Sequence, residues 1–247
     1  MGMIEGEDLR RMKECGRIVR KALDEMAAFI AAGVSTRAIE EVGRKVVEAE
    51  GATPSFLGYN GYPAAVCISI NQEVVHGIPA TDRFVRNGDL VSIDIGAFKE
   101  GFHADAADTV AVGEVSNEAR LLLETVYEAR SRGIEAARAG NRLGDIGAAV
   151  QELVESRGFS VVRALVGHGI GRRLHEPPQV PNYGRRGRGM KLSRGLALAI
   201  EPMINTGGFG VQTLCDNWTV VTEDGSLSAH AEHTLVVADG SPLILTA

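Results

Sequence analysis

Apolar positions recur at helical spacing near the start of the chain. Between Glu7 and Ile30 they lie three and four residues apart, which is typical of one face of an amphipathic helix. Gly33 is placed to end that helix, and Ser35 or Thr36 can cap a second one that runs to Gly51. The pattern therefore predicts two consecutive helices before any strand.

Strand-like apolar runs follow the two helices, and the same order of elements then returns. The first runs are residues 64–70, 89–98 and 102–112, with residues 99–101 as a hairpin turn between the last two. In the second part of the chain we predict helices at 117–139 and 143–157 and strands at 159–166, 196–204, 218–222 and 233–238.

The repeat extends to individual residues. A shift of 107 positions aligns similar residues in two separated segments: Gly33 with Gly140, Gly51 with Gly158, Ile93 with Ile200, and Asp94 with Glu201. We therefore predict one domain over residues 1–247, built from two related helix–helix–strand halves at about 7–113 and 116–247 and packed about a pseudo-two-fold axis. Such an axis would bring the strands of Asp94 and Glu201 to equivalent, facing places.

Four carboxylates lie in or beside apolar strands, where charge is unexpected. They are Asp94, Asp105, Glu201 and Glu232. A buried carboxylate must be paired, protonated or bound to a metal, and several together repel one another without a cation. Taken singly, each acid also fits a strand-end cap or a solvent-facing position, but that alternative is weak for all four.

His168, between two glycines, is the natural nitrogen ligand to join these acids, although a lone histidine is more often a structural residue. A site of four carboxylates and one imidazole suits Mn, Fe, Co or Zn with open positions, rather than a closed structural zinc.

Charge and cysteine content narrow the class of protein. A net charge of −6 argues against a broad nucleic-acid surface. The three cysteines are far apart and odd in number, so we expect no disulfide framework and a reducing, cytoplasmic location. The acidic N-terminus has no apolar run, and no 18-residue apolar stretch follows, so we expect neither a signal peptide nor a membrane span.

The acid-bearing segments together resemble those of type I methionine aminopeptidases, from about Asp8 to Leu243. The matching segments are 94–105, Gly-His-Gly-Ile-Gly at 167–171, His-Glu-Pro-Pro at 175–178, Ile-Glu-Pro-Met at 200–203 and Glu-His-Thr at 232–234. This resemblance implies the pita-bread α/β fold, a duplicated half around a site for two divalent metal ions (Co, Mn, Fe or Zn). It also implies removal of the initiator methionine by attack of a metal-activated water on the first peptide bond.

The resemblance also assigns ligand roles. Asp94 would hold one metal through both oxygens. Asp105 and Glu232 would bridge the two metals, and His168 and Glu201 would complete the other.

Three residues are expected to act on the substrate. His175 would donate to the developing oxyanion, His76 would contact the peptide nitrogen, and Glu201 would carry a proton from water to the leaving amine. His103 shares a strand face with Asp105 but matches no ligand of the family, so we interpret it as structural or as a support to a ligand.

The resemblance further implies a pocket for the methionine side chain and a set of partners. The pocket residues would be Phe56, Tyr59, Tyr62, Cys67, Leu174 and Trp218, although the aromatic residues among them also fit a plain core. The expected partner is the N-terminal methionine of nascent peptides, and the expected state is a monomer. The basic loop at 183–190, with Arg185, Arg186 and Arg188, is interpreted as a solvated flexible loop, with transient contact to ribosomal RNA as the sharper hypothesis.

Two alternatives stay open within the same fold. One is a proline-specific aminopeptidase or prolidase, whose members usually carry an extra N-terminal domain. The other is a non-catalytic pita-bread binding protein, which usually lacks some ligands, whereas all five are present in this sequence. An unrelated α/β protein would have to explain the repeat and the motifs separately.

Overall fold

The computed structural model describes residues 3–247 and contains two pairs of α-helices, one pair in each part of the chain. They are α1 (Gly6–Phe29), α2 (Thr36–Ala49), α3 (Asn117–Ala136) and α4 (Leu143–Ser156). Ser35 and Ser116 cap α2 and α3, because each hydroxyl accepts a hydrogen bond from a backbone N–H in the first helical turn. The helices predicted from periodicity are thus present, with α3 ending three residues earlier than expected.

Short strands fill the space between the helix pairs. The first half contributes β1 (Thr53–Pro54), β2 (Val66–Ile70), β3 (Glu73–Val75), β4 (Leu90–Lys99) and β5 (Phe102–Ala111). The second half contributes β6 (Ser160–Val161), β7 (Gly167–Gly169), β8 (Glu176–Val180), β9 (Ala197–Ile200), β10 (Met203–Asn205), β11 (Val211–Thr213), β12 (Val220–Thr222), β13 (Ser228–His230), β14 (His233–Val236) and β15 (Leu243–Ile244).

The long hairpin β4–β5 is the centre of the first half. Its two-residue turn, Glu100–Gly101, has positive φ at both positions, as a type I′ turn requires. β5 pairs with the whole of β4, and β2 and β1 pair with the other edge of β4. Helices α1 and α2 pack on this sheet and bury one continuous apolar core with it.

In the second half, five strands form a sheet in the order β15-β14-β9-β7-β8. Two three-stranded sheets, β13-β10-β6 and β11-β12-β3, complete the fold, and the second of them joins β3 of the first half to strands of the second half. Gly16 of α1 lies against the C-terminal segment, where a Cβ would stand 2.1 Å from the Leu245 carbonyl oxygen. None of the helices in the described part of the chain has the length and apolarity needed to cross a bilayer.

Several strand predictions were wrong in extent. The run 196–204 is two strands, because Pro202 has no N–H for the ladder, and β9 ends at Ile200. The run 159–166 pairs only at Ser160–Val161, where the short β10 offers partners. The strand expected from Trp218 begins at Val220, because the Asp216 carboxylate takes the N–H groups of the two preceding residues.

The basic loop 183–190 is held against the start of α4. Gly187 donates its N–H to Asp145 Oδ1 at 2.7 Å, and the Arg188 carbonyl accepts from the N–H of Gly144 at 2.9 Å. The loop is therefore docked by its backbone and by the ion pair of Arg186 with Glu152, while its arginine side chains are exposed.

Candidate metal centre and substrate cavity

A single cavity of about 720 Å³ brings together every side chain that the sequence singles out as part of a site. These are Phe56, Tyr59, Tyr62, Cys67, His76, Asp94, Asp105, His168, Leu174, His175, Glu201, Trp218 and Glu232. Residues from both the first and the second part of the chain line this cavity.

The hairpin β4–β5 places two of the acids. Asp94 lies opposite Ala107, and Asp105 lies opposite Gly96. Since residues two apart on a strand share a face, Asp94 and Asp105 are diagonal neighbours on one face of the sheet. Glu232 reaches the same place because its N–H donates to the Ala107 carbonyl at 2.8 Å.

The second half adds His168 and Glu201. His168 is on β7 and pairs with Ala199 of β9, the strand that ends directly before Glu201. The Nε2 atom of His168 lies 3.4 Å from Asp105 Oδ2 and 3.5 Å from Glu201 Oε1. Potential ligand atoms of Asp105, His168 and Glu232 all lie within 4.8 Å of one another, which is a spacing that one cation can bridge.

The buried carboxylates of this cluster have too few positively charged side chains nearby to balance their negative charge. Burial, and then the neighbouring carboxylates, raise the pKa of Asp94 and of Glu232 well above the usual range. Burial raises the pKa of Glu201 to about 8. Although burial disfavours the charged imidazole, the carboxylates of Asp105 and Glu201 raise the pKa of His168 to about 9. Without a metal, the cluster thus holds protons in place of cations.

An unpartnered oxygen points to the same conclusion. Among residues 3–247, Asp94 Oδ1 is enclosed and receives no hydrogen bond. A buried carboxylate oxygen without a donor is costly, and a divalent cation would satisfy it. The donor set of oxygens with one imidazole nitrogen is that of a transition-metal site with open positions. The residues present therefore fit a metal centre.

Two further histidines face the cavity beside this cluster. The Nδ1 atom of His175 lies 2.7 Å from the Tyr59 hydroxyl, and its ring packs edge-on against His168 at 4.2 Å. Burial and the charge of His168 lower the pKa of His175 to about 4, so the ring is neutral near pH 7. His76 has a left-handed backbone with φ of 61°, and burial lowers its pKa.

The apolar end of the cavity adjoins the acids. Cys67 of β2 lies directly opposite Asp94 of β4, so the pocket wall and the ligand are neighbours in one sheet. The rings of Tyr62 and Trp218 meet edge-on at 5.1 Å. The Tyr62 hydroxyl lies 3.0 Å from the Gly77 carbonyl oxygen, which holds that ring in place.

Two residues that contact the acids of the site, His230 and Thr234, are not predicted from the sequence. His230 is buried, with Nε2 3.9 Å from Glu201 Oε2, and it lies on β13, a strand that was not predicted. Thr234 Oγ1 donates a hydrogen bond to Asp105 and accepts one from the backbone N–H of Asp105. Thr234 belongs to the Glu-His-Thr segment of the resemblance, but the sequence assigns it no role. His103 Nδ1 lies 2.9 Å from Ser55 Oγ.

The chain and its structure are similar to known metallopeptidases. Residues 10–239 match the Metallopeptidase family M24. The chain is 47% identical over 239 residues to a methionine aminopeptidase of Clostridium acetobutylicum, covering 97% of this chain and 96% of the relative. Its structure matches the crystal structure of a methionine aminopeptidase from Thermotoga maritima with a TM-score of 0.97 and 42% identity, covering 100% and 99% of the two chains. A prolidase from Pyrococcus furiosus shares the fold, with a TM-score of 0.79 at 22% identity, covering 99% of this chain and 65% of the prolidase.

Proposed function

The chain belongs to metallopeptidase family M24, and from that premise we propose that it removes the N-terminal methionine from newly made proteins. One observation carries the proposal: five potential metal ligands and an apolar pocket meet in one cavity. The similarity to methionine aminopeptidases extends over nearly the whole chain, whereas the likeness to the prolidase supports only the fold.

Family membership implies a divalent metal, and we propose that the cavity binds two ions of Co, Mn, Fe or Zn. Asp94 would be a ligand of one ion, and Asp105 and Glu232 would be ligands of both. His168 and Glu201 would complete the second position. When bound, such ions lower the pKa of a water molecule toward neutrality and stabilise negative charge on a carbonyl oxygen.

The histidines around the cluster then act on the substrate. We propose that the Tyr59 hydroxyl donates to Nδ1 of the neutral His175, which places the ring proton on Nε2. We propose that this Nε2–H donates to the oxyanion as it forms. His76 would contact the peptide nitrogen from the opposite wall.

Glu201 is the proposed proton carrier. Its Oε1 lies 3.5 Å from His168 Nε2, and its Oε2 lies 3.9 Å from His230 Nε2. A carboxylate in this position can accept a proton from the attacking water and deliver it to the leaving amine.

Selection of methionine at an N-terminus follows from the two ends of the cavity. The carboxylates of the cavity can attract the free α-amine of a peptide's first residue, whereas an internal peptide bond has no free amine. The pocket of Phe56, Tyr59, Tyr62, Cys67, Leu174 and Trp218 offers aromatic edges and a thiol to the thioether side chain.

The proposal is tested by hydrolysis of Met-Gly-type against Xaa-Pro-type peptides, with added Mn²⁺ or with a chelator. We expect cleavage of the Met-Gly-type peptide only, and loss of cleavage with the chelator. Preferred cleavage of the Xaa-Pro peptides would indicate a prolidase. A folded protein that binds no transition metal would indicate a binding protein without catalysis.

We also propose that the chain acts as a monomer and that loop 183–190 contacts ribosomal RNA transiently. The exposed guanidinium groups of Arg185 and Arg188 support the contact, since basic side chains bind phosphates. Replacement of Arg185, Arg186 and Arg188 by Ser should reduce co-sedimentation with ribosomes, whereas Ser at Arg44 and Lys45 of α2 should not. Unchanged co-sedimentation of the loop variant would refute the contact.

A further inference from the structure

His230 is a buried histidine whose backbone is fixed by a neighbouring threonine. Thr109 Oγ1 donates to the His230 carbonyl at 2.7 Å and accepts from the His230 N–H at 3.0 Å. Because a hydroxyl has one proton, the Ser92 hydroxyl must be the donor in its 2.7 Å bond to Thr109. The Tyr127 hydroxyl binds both backbone groups of Thr109. The position of His230 is therefore held by a fully satisfied network that begins on α3.

Strand register brings this residue beside Glu201. His230 pairs with Met203 across β13 and β10, and Met203 follows Glu201 by two residues. The Glu201 carbonyl accepts from Asn182 Nδ2 at 2.9 Å, which fixes the backbone of Glu201 in turn. Both partners thus have their main chains anchored independently of any metal.

The side chains of the two residues face each other across an incomplete contact. His230 is 2% exposed, and its Nε2 lies 3.9 Å from Glu201 Oε2. Within the described residues this nitrogen has no hydrogen-bond partner. The other oxygen of Glu201, Oε1, lies 3.5 Å from His168 Nε2. The carboxylate therefore stands between two imidazoles, one near each oxygen.

We propose that His230 is a positioning residue for Glu201: in the metal-loaded enzyme its Nε2–H donates to Glu201 Oε2 and orients the carboxylate toward the metal and the substrate. The inference rests on the proposed function, in which Glu201 is both a ligand and the proton carrier. Closing the gap from 3.9 Å to a normal length of about 2.9 Å needs a movement of about 1 Å, which a side-chain rotation supplies.

The test compares His230→Leu, which removes the donor, with His230→Gln, which keeps a terminal N–H. The dissociation constant for Mn²⁺ is measured by calorimetry on folded, metal-free protein. Loss of an outer hydrogen bond to a ligand typically weakens metal binding about 10- to 100-fold, and we expect that loss for Leu and recovery of most of it for Gln. With saturating Mn²⁺, kcat on a Met-Gly-type peptide should fall for Leu while KM is retained, because the methionine pocket is unchanged.

His233→Gln is the matched control. His233 is also a buried histidine, on β14, but its Nδ1 binds Thr246 Oγ1 at 2.8 Å and it does not line the cavity. This variant should keep the wild-type dissociation constant for Mn²⁺.

Each outcome separates the inference from the proposed function. Wild-type Mn²⁺ affinity and kcat in His230→Leu would overturn the positioning role. Equal losses for Leu and Gln would overturn it too, because the imidazole itself would then be a ligand. Wild-type protein that neither binds Mn²⁺ nor cleaves the peptide would refute the proposed function instead. If His230→Leu does not fold by circular dichroism, His230→Asn, whose amide is withdrawn, takes its place and should lose affinity where Gln retains it.

Discussion

The hydrogen bond between Tyr59 and His175 gives a sharp prediction for Tyr59→Phe. This change keeps the ring that lines the pocket and packs edge-on against His175 at 5.1 Å, and removes only the hydroxyl 2.7 Å from Nδ1. A neutral hydrogen bond of this kind contributes about 0.5–1.5 kcal/mol. If that energy holds the ring proton on Nε2 in the transition state, kcat should fall about 2- to 12-fold, since about 1.4 kcal/mol corresponds to tenfold in rate. Loss of the donor itself in His175→Ala should cost more, about 10²- to 10³-fold.

The assay is initial-rate hydrolysis of a Met-Gly-type peptide at saturating Mn²⁺, with kcat and KM determined separately. We expect a lower kcat with unchanged KM for Tyr59→Phe, and no further loss when it is added to His175→Ala, because the two residues act as one unit. A raised KM with wild-type kcat would mean that the hydroxyl binds substrate. Wild-type values of both constants would refute the reasoning about the ring proton.

Three further predictions concern stability and metal removal. Folded metal-free protein keeps a proton on Glu201 up to about pH 8, whereas the unfolded chain releases it near pH 4.5. From about pH 7, where the histidines of the unfolded chain are mostly neutral, the folded state binds more protons, and the Tm with chelator should fall as pH rises to about 8. A Tm that rises across this range would contradict that sign. Asp94→Asn removes a buried carboxylate with an unpartnered oxygen, so Mn²⁺ should no longer raise the Tm, while the Tm with chelator should not fall; a wild-type response to Mn²⁺ would remove Asp94 from the ligand set. Asp108→Asn removes the carboxylate that half-buried Arg20 of α1 and Arg130 of α3 share, although Arg20 keeps its ion pair with Asp24, and should lower the free energy of unfolding in urea by about 1.5–3 kcal/mol. Asp239→Asn, at an exposed ion pair, should change it by about 0.5 kcal/mol or less.

The helices were predictable because their signals are local. Periodic apolar positions and a serine directly before the first turn fixed α2 nearly to the residue. Strand ends depend instead on partners elsewhere in the chain. The break at Pro202 does have a local signal, because proline has no N–H for the ladder, whereas β8 and β11 have mostly exposed or half-buried residues and lack an apolar run.

Site residues that belong to recognisable sequence motifs could be predicted. Contacts that depend on how two strands pair could not. Resemblance supplied the expected ligands and pocket residues, and all of them line one cavity. The contacts of His230 with Thr109 and Glu201 arise from the pairing of β10 with β13, which no local pattern reveals. The division into halves at 7–113 and 116–247 stays a proposal, supported by the recurring helix–helix–strand order.

The central claim is that side chains far apart in the sequence bind divalent cations together. Anomalous diffraction from crystals grown with Mn²⁺ tests it directly. The account predicts two anomalous peaks in the cavity, each with oxygen ligands, and with His168 Nε2 bound to one of them. A single well-occupied peak would contradict the two-metal proposal. Absence of any peak among Asp94, Asp105, Glu201 and Glu232 at saturating Mn²⁺ would contradict the metal centre itself.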